Sequence, residues 1–188
     1  MEKKLIRKVY LEERKSLSEE AFLRLQADVI DNAIHIIKQL KPSVVHCYIP
    51  IPNMREINTD LIFEYCWLNN IETVVPVSNF INFTMKTAIR NPSTKMKISK
   101  NGIIEPVETI LMSASKIDLI ITPLIAFDHN GHRVGFGKGF YDRFFEKCST
   151  NTTKMGLSLF DSINKIEDVN NHDFPLDYVA TPNNIATF

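Results

Sequence analysis

The 188-residue chain predicts a single α/β domain, Rossmann-like and three-layered, with a largely parallel central sheet flanked by helices. Three observations predict it. Apolar runs of strand length alternate with amphipathic helical stretches, the pattern of βαβ units. The length suits one domain with a core that needs no disulfide or metal staple. Finally, a glycine-rich basic run, Gly131 to Arg143, follows an apolar run and precedes a helical one, the usual place for an anion site in such folds.

The elements follow in order. Residues 2–16 read as a basic amphipathic helix with Leu5 and Val9 on its inner side, joined by Ile6 and Leu11. Ser18-Glu19-Glu20-Ala21 starts a second helix, whose face runs through Phe22, Leu25, Val29, Ala33, Ile36 and Ile37 to Leu40. Lys41-Pro42-Ser43 ends it, and Val44 to Ile49 is a buried strand stopped by Pro50 and Pro52. Thr59 starts a helix to Trp67, and Ile71 to Val75 is a strand. Phe80 to Ile89 alternates like a half-exposed strand, Asn91 to Gly102 is a polar basic loop, and Ile104-Glu105-Pro106 resumes the ordered core. The apolar stretch Ile117 to Phe127 reads as a buried strand, with Lys116 to Pro123 its clearest part. A helix over 139–148, a strand around Lys154 to Leu159 and a last strand near Asp177 to Ala180 complete the chain.

Composition narrows the function. Twenty-two basic and 22 acidic residues cancel, so no general attraction to nucleic acid or an acidic membrane is expected, and any anion site must be built locally. Cys47, Cys66 and Cys148 are an odd number without a CxxC pair, as in a reducing compartment. The charged N-terminus lacks a signal core and no apolar run reaches membrane-spanning length, so a cytoplasmic location is expected.

The run Gly131-His132-Arg133-Val134-Gly135-Phe136-Gly137-Lys138-Gly139-Phe140-Tyr141-Asp142-Arg143 carries the chemistry. Its glycines let backbone N–H groups approach an anion, Arg133 and Lys138 add full charge, and a helix opening near Gly139 adds its positive end. Asp142 then stands where a metal bridging phosphates could be held. The spacing is neither a Walker loop, since Gly139 follows Lys138, nor a dinucleotide fingerprint. Polyphosphate binding, as a nucleotide with magnesium, is the chemistry this pattern suits; a turn serving only backbone geometry is the bland alternative. Lys3 and Arg7 share a helical face and could grip one anion, or belong to a solvated basic face. Glu56 lies in a loop after a strand, where ligand-binding residues are often placed. His172-Asp173 lacks companion ligands at metal spacing, though Asp173 alone could help hold magnesium. No Ser/His/Asp or Cys/His set stands out.

In this order the motifs resemble the 5-formyltetrahydrofolate cyclo-ligase family (5,10-methenyltetrahydrofolate synthetases). The matching residues are Lys3-x-x-x-Arg7, Tyr48-Ile49-Pro50 to Glu56-Ile57-Asn58-Thr59, Glu105-Pro106, Ile117-Asp118-Leu119-Ile120, Pro123 to Asp128, the glycine-rich signature to Asp142, and His172-Asp173 with Asp177. The resemblance implies an ATP- and Mg²⁺-dependent ligase of one-carbon metabolism. ATP would be its co-substrate and 5-formyltetrahydrofolate, with or without a polyglutamate tail, its substrate. It implies ATP contacts from Lys3, Lys4, Arg7, Arg133, Gly135, Phe136, Gly137, Lys138, Gly139 and Tyr141, with Arg133, Lys138 and Asp142 catalytic. Ile51, Glu56, Phe136 and Phe140 would meet the folate, and Asp142 and Asp173 the magnesium. No nucleic acid or membrane partner is expected, and the expected state is a monomer. One position departs: the family usually has two tyrosines before the aspartate, and here Phe140 replaces the first, losing a hydroxyl but keeping the aromatic face. Two alternatives stand beside this reading: an ATP-dependent enzyme acting on another pterin-like heterocycle, and a non-catalytic nucleotide- or folate-binding protein.

Overall fold

The structure is a computed structural model describing residues 1–188, the Pro52 side chain excepted. Its centre is an eight-stranded sheet in the order β12-β11-β10-β7-β1-β2-β3-β6. The strands are β1 Val44–Cys47, β2 Glu72–Asn79, β3 Thr84–Ile89, β6 Leu111–Met112, β7 Leu119–Pro123, β10 Thr153–Leu157, β11 Tyr178–Ala180 and β12 Ile185–Thr187. The five inner strands β11, β10, β7, β1 and β2 run parallel, while β3, β6 and β12 join antiparallel at the edges.

Alternation along the strands separates two cores. On one face Val45, Cys47, Leu119 and Ile121 pack with helices α2 (Glu19–Leu40) and α3 (Asp60–Leu68). On the other, Val74 and Ile120 pack with Phe144 and Phe145 of α4 (Phe140–Phe145). The three-layer α/β arrangement is therefore the one expected from the sequence. Ser18 caps α2 through its hydroxyl, which accepts from the Ala21 N–H at 3.1 Å, as the sequence predicts.

Helix α1 (Lys3–Ser16) departs from expectation: Leu5 and Val9 are exposed, and the inner stripe is Ile6, Tyr10 and Arg14. Its seat is not the main sheet but the small hairpin of β8 (Ala126–Phe127) and β9 (Arg133–Val134), with Ile163 and Ile166. Because 3, 6, 7, 10 and 14 share one helical side, the stripe that packs also turns Lys3 and Arg7 towards the site.

Strand ends differ too. The run Ile117 to Phe127 is not one strand: β7 stops at Pro123, and Ala126–Phe127 pairs with β9. Phe80 to Phe83 is a turn before β3, with Phe83 at φ +54°. The 91–102 segment contains β4 (Met96–Ile98), paired with β5 (Ile104–Pro106) in a hairpin that Glu105 ties to β2 by accepting the Ser78 N–H at 3.0 Å. Helix α4 is Phe140–Phe145 rather than the expected span 139–148, so the positive end it offers at Gly139 is that of only about a turn and a half. Strand β12 and short β6 have no signal in the sequence; such edge strands owe their form to a neighbour.

Candidate active site

The parallel strands β1 and β7 lie side by side, while the chain leaves β1 towards β2 on the other side. In an open α/β sheet a crevice forms outside the carboxyl ends of such a pair. Here it is a cavity of about 880 Å³, walled by Tyr48, Ile49 and Ile51 after β1 and by Pro123 at the end of β7. The glycine loop, the start of α1 and the 170–173 turn close the other sides.

The loop is placed from below by Asp128. Its fully buried carboxylate accepts the N–H groups of Asn130, His132 and Ile166, each at 3.0 Å, fixing the β8–β9 turn. From β9 the chain delivers Arg133, then Gly135 to Gly139. Gly137 and Gly139 have φ of +86° and +66°, a region open to glycine at low cost. Arg7 donates through Nε to the Gly135 carbonyl at 2.7 Å. Lys138 is exposed, its Nζ 5.5 Å above the Phe83 ring. Arg143 pins the loop by donating to the carbonyls of Lys138 (2.8 Å), Gly139 (3.0 Å) and Phe83 (3.3 Å).

Two carboxylates face these cations. Arg133 donates to Asp142 at 2.8 Å and to the Phe174 carbonyl at 2.9 Å. Lys3 pairs with Asp173, which also accepts the Asn170 N–H at 2.7 Å. Burial raises the Asp173 pKa, but the Lys3 and Asn170 bonds and the charges of Lys3 and Arg133 leave it lowered overall. Among the described residues no three His, Cys, Asp or Glu side chains gather as a metal-holding group. Two carboxylates do suit magnesium, which takes one or two from protein and the rest from water and phosphate.

Aromatic side chains adjoin the glycine loop. Phe140 meets Phe80 and Phe83 edge-on, with ring centres 5.3 and 5.9 Å apart. Glu56 also lines the cavity; it is 8% exposed and accepts the Ile51 N–H through Oε2 at 2.6 Å. Burial lifts its pKa to about 7, against the pull of the Ile51 N–H and of Arg14. The Arg14 guanidinium, 3% exposed, donates to the Leu124 carbonyl at 2.7 Å. The Tyr141 hydroxyl is buried with no hydrogen-bond partner among the described residues. Burial, then Cys47 and Glu56, raise its pKa well above the usual phenol value.

Of the residues singled out from sequence, Lys3, Arg7, Ile51, Glu56, Arg133, the segment Gly135 to Asp142 and Asp173 all line this one cavity. Lys4 does not; it lies exposed on α1. Sequence reasoning gave no role to Arg143, Arg14, Ser78, Asn170 or the Phe80 turn. Only the basic character of Arg143, next to the glycine run, could have flagged any of them.

Fold and site together define an α/β protein whose switch-point crevice brings together a cationic glycine loop, aromatic side chains and one buried carboxylate, that of Glu56. Residues 1–182 match the model of the 5-formyltetrahydrofolate cyclo-ligase family. The chain belongs to that family of enzymes. A 5-formyltetrahydrofolate cyclo-ligase of Haemophilus influenzae is 31% identical over a stretch covering 63% of this chain and 64% of that relative, just under two thirds of its length. One from Mycoplasma pneumoniae is 27% identical, over 84% of this chain and 85% of its own. The NMR structure of Aquifex aeolicus 5,10-methenyltetrahydrofolate synthetase superposes with a TM-score of 0.82 at 30% identity, covering all of this chain and 93% of that one.

Proposed function

We propose that the chain cyclises 5-formyltetrahydrofolate to 5,10-methenyltetrahydrofolate at the expense of ATP. The observation that carries the reading is one cavity in which a cationic glycine loop, aromatic side chains and the buried carboxylate of Glu56 share one space. In this reading the γ-phosphoryl group passes to the formyl oxygen, breaking its bond to ADP. N10 then attacks the formyl carbon and loses its proton, and the carbon–oxygen bond breaks to release inorganic phosphate.

The protein's part is placement and charge. Arg7 and the Gly135–Gly139 amides would cradle the phosphates, Lys3, Arg133 and Lys138 would balance charge on the transferred group, and Phe140 with Phe80 would stack the pterin. Glu56, tied at Oε2 by the Ile51 N–H, would bind a donor edge of the heterocycle through its other oxygen. Asp142 and Asp173 would hold magnesium, which would supply positive charge to offset that of the phosphates. Loss of one such charge-stabilising contact costs about 3 kcal/mol of transition-state stabilisation, by analogy with oxyanion donors.

The test is an absorbance assay with 5-formyltetrahydrofolate, ATP and magnesium, following the near-ultraviolet band of the methenyl product in mildly acidic buffer. A rise requiring both ATP and magnesium is the expected result. No rise from protein that still binds ATP overturns the folate assignment and favours another heterocyclic acceptor, with Phe140→Tyr the first variant to try.

A further inference from the structure

The cations and the acids of the phosphate side occupy one another. Lys3 lies on Asp173 and Arg133 on Asp142, pairs that link α1 to the 170–173 turn and β9 to α4. The side chains are 16% and 19% exposed in the first pair, 7% and 25% in the second, so water and salt screen them less than surface pairs.

Building on the proposed function, we infer that Asp142 and Asp173 select the form of the nucleotide: they hold Arg133 and Lys3 until a divalent cation takes the carboxylates. A free polyphosphate entering the site must break both pairs and then lie beside two uncompensated carboxylates. A divalent cation entering alone must displace two ammonium- or guanidinium-type partners. Entering together, they exchange partners: each carboxylate passes to the metal and each side-chain cation to phosphate. The anchors suit such an exchange. Asp173 keeps the Asn170 N–H and Arg133 keeps the Phe174 carbonyl, so those two stay in place, while Lys3 swings on a flexible stem. Coupling of this kind is reciprocal, so metal strengthens phosphate binding by the same factor as phosphate strengthens metal binding.

Calorimetric titration with ATP, and separately with inorganic tripolyphosphate, in chelator and in excess magnesium, tests the inference on the whole chain. Wild type should bind free ATP at least tenfold more weakly than the magnesium complex, roughly the scale of an ordinary coupling free energy. Asp173→Asn should bind metal-free ATP or tripolyphosphate roughly fivefold more tightly than wild type, the scale of one partly buried ion pair. It should also lose most of the magnesium effect. In a Lys3→Met background the Asp173→Asn gain should vanish, because no cation is left to release. A gain that persists there shows simple charge repulsion and overturns the inference, as does the absence of any gain. Asp142→Asn, which releases Arg133 from a different element, supplies the same reading if Asp173→Asn does not fold. Absence of polyphosphate binding to wild type in every condition overturns this inference together with the phosphate assignment beneath it. Normal magnesium-ATP binding without a metal-free gain in the variants overturns this inference alone.

Discussion

Arg7 of the first helix lies against Gly137 of the loop 130 residues later. A Cβ built on Gly137 would stand 3.2 Å from the Arg7 Cζ, while the same guanidinium donates to the Gly135 carbonyl at 2.7 Å. The contact joins the two basic segments that the sequence presents far apart.

Gly137→Ala should therefore harm the site more than the fold. The residue sits at φ +86°, so alanine adds backbone strain of about 1–2 kcal/mol and pushes Arg7 aside by a few tenths of an ångström. The expected outcome is a melting temperature a few degrees lower and an ATP KM raised by roughly tenfold or more. Thermal unfolding and initial-rate kinetics check both.

Arg143 holds the loop through Nη1, which donates to three carbonyls on two segments. Replacing it with alanine removes a charge-assisted contact that one nitrogen, Nη1, shares among three carbonyls at an exposed position where water offsets much of the loss. Because the side chain is exposed, stability should change little while the ATP KM rises about tenfold. An Arg143→Lys variant should recover part of the loss. Unchanged kinetics in Arg143→Ala would show that the loop keeps its form without the pin.

Glu56 makes folding depend on pH in a definite direction. Its folded pKa, raised by burial to about 7, lies above the ordinary value of 4.5. The stability this group confers is full below pH 4.5 and is lost as pH rises through 7, by about 3 kcal/mol across the whole window. Glu56→Gln should flatten that decline, so the variant should be the more stable chain at pH 8, with little difference at pH 4.5. Urea unfolding at the two pH values measures it, and equal slopes for wild type and variant would overturn the assignment.

His46 works the opposite way. It is fully buried between Tyr141 and Phe144, with neither ring nitrogen hydrogen-bonded among the described residues, and burial lowers its pKa from 6.5 to about 3. Its contribution is full above pH 6.5 and is lost as pH falls towards 3, about 2 kcal/mol of it by pH 5. His46→Phe should remove that acid limb. Denaturant unfolding from pH 7 to pH 4 gives the comparison; because Glu56 gains stability over the same range, the test is the difference between the two chains, and equal slopes for wild type and His46→Phe would overturn the burial argument.

The local structure of this protein is written in neighbouring residues. The face of α2 from Phe22 to Ile37, its Ser18 cap, the apolar cores of β1 and β7 and the positive-φ glycines of the loop each depend on residues a few positions apart. Hydrophobic period, capping chemistry and glycine's freedom reveal them in one dimension. The common destination of Lys3, Arg7, Glu56, Arg133, Asp142 and Asp173 was legible only through resemblance to a family, because none of these residue types implies the others by spacing. Tertiary structure decided which side of α1 faces inward, since Ile6 and Tyr10 pack on a hairpin more than 115 positions later. It also formed the edge strands β6 and β12, which gain their hydrogen bonds only from a partner. And it set the Glu56 and Asp173 pKa values, because desolvation and the Lys3 charge, 170 positions from Asp173, exist only once the chain has closed on itself.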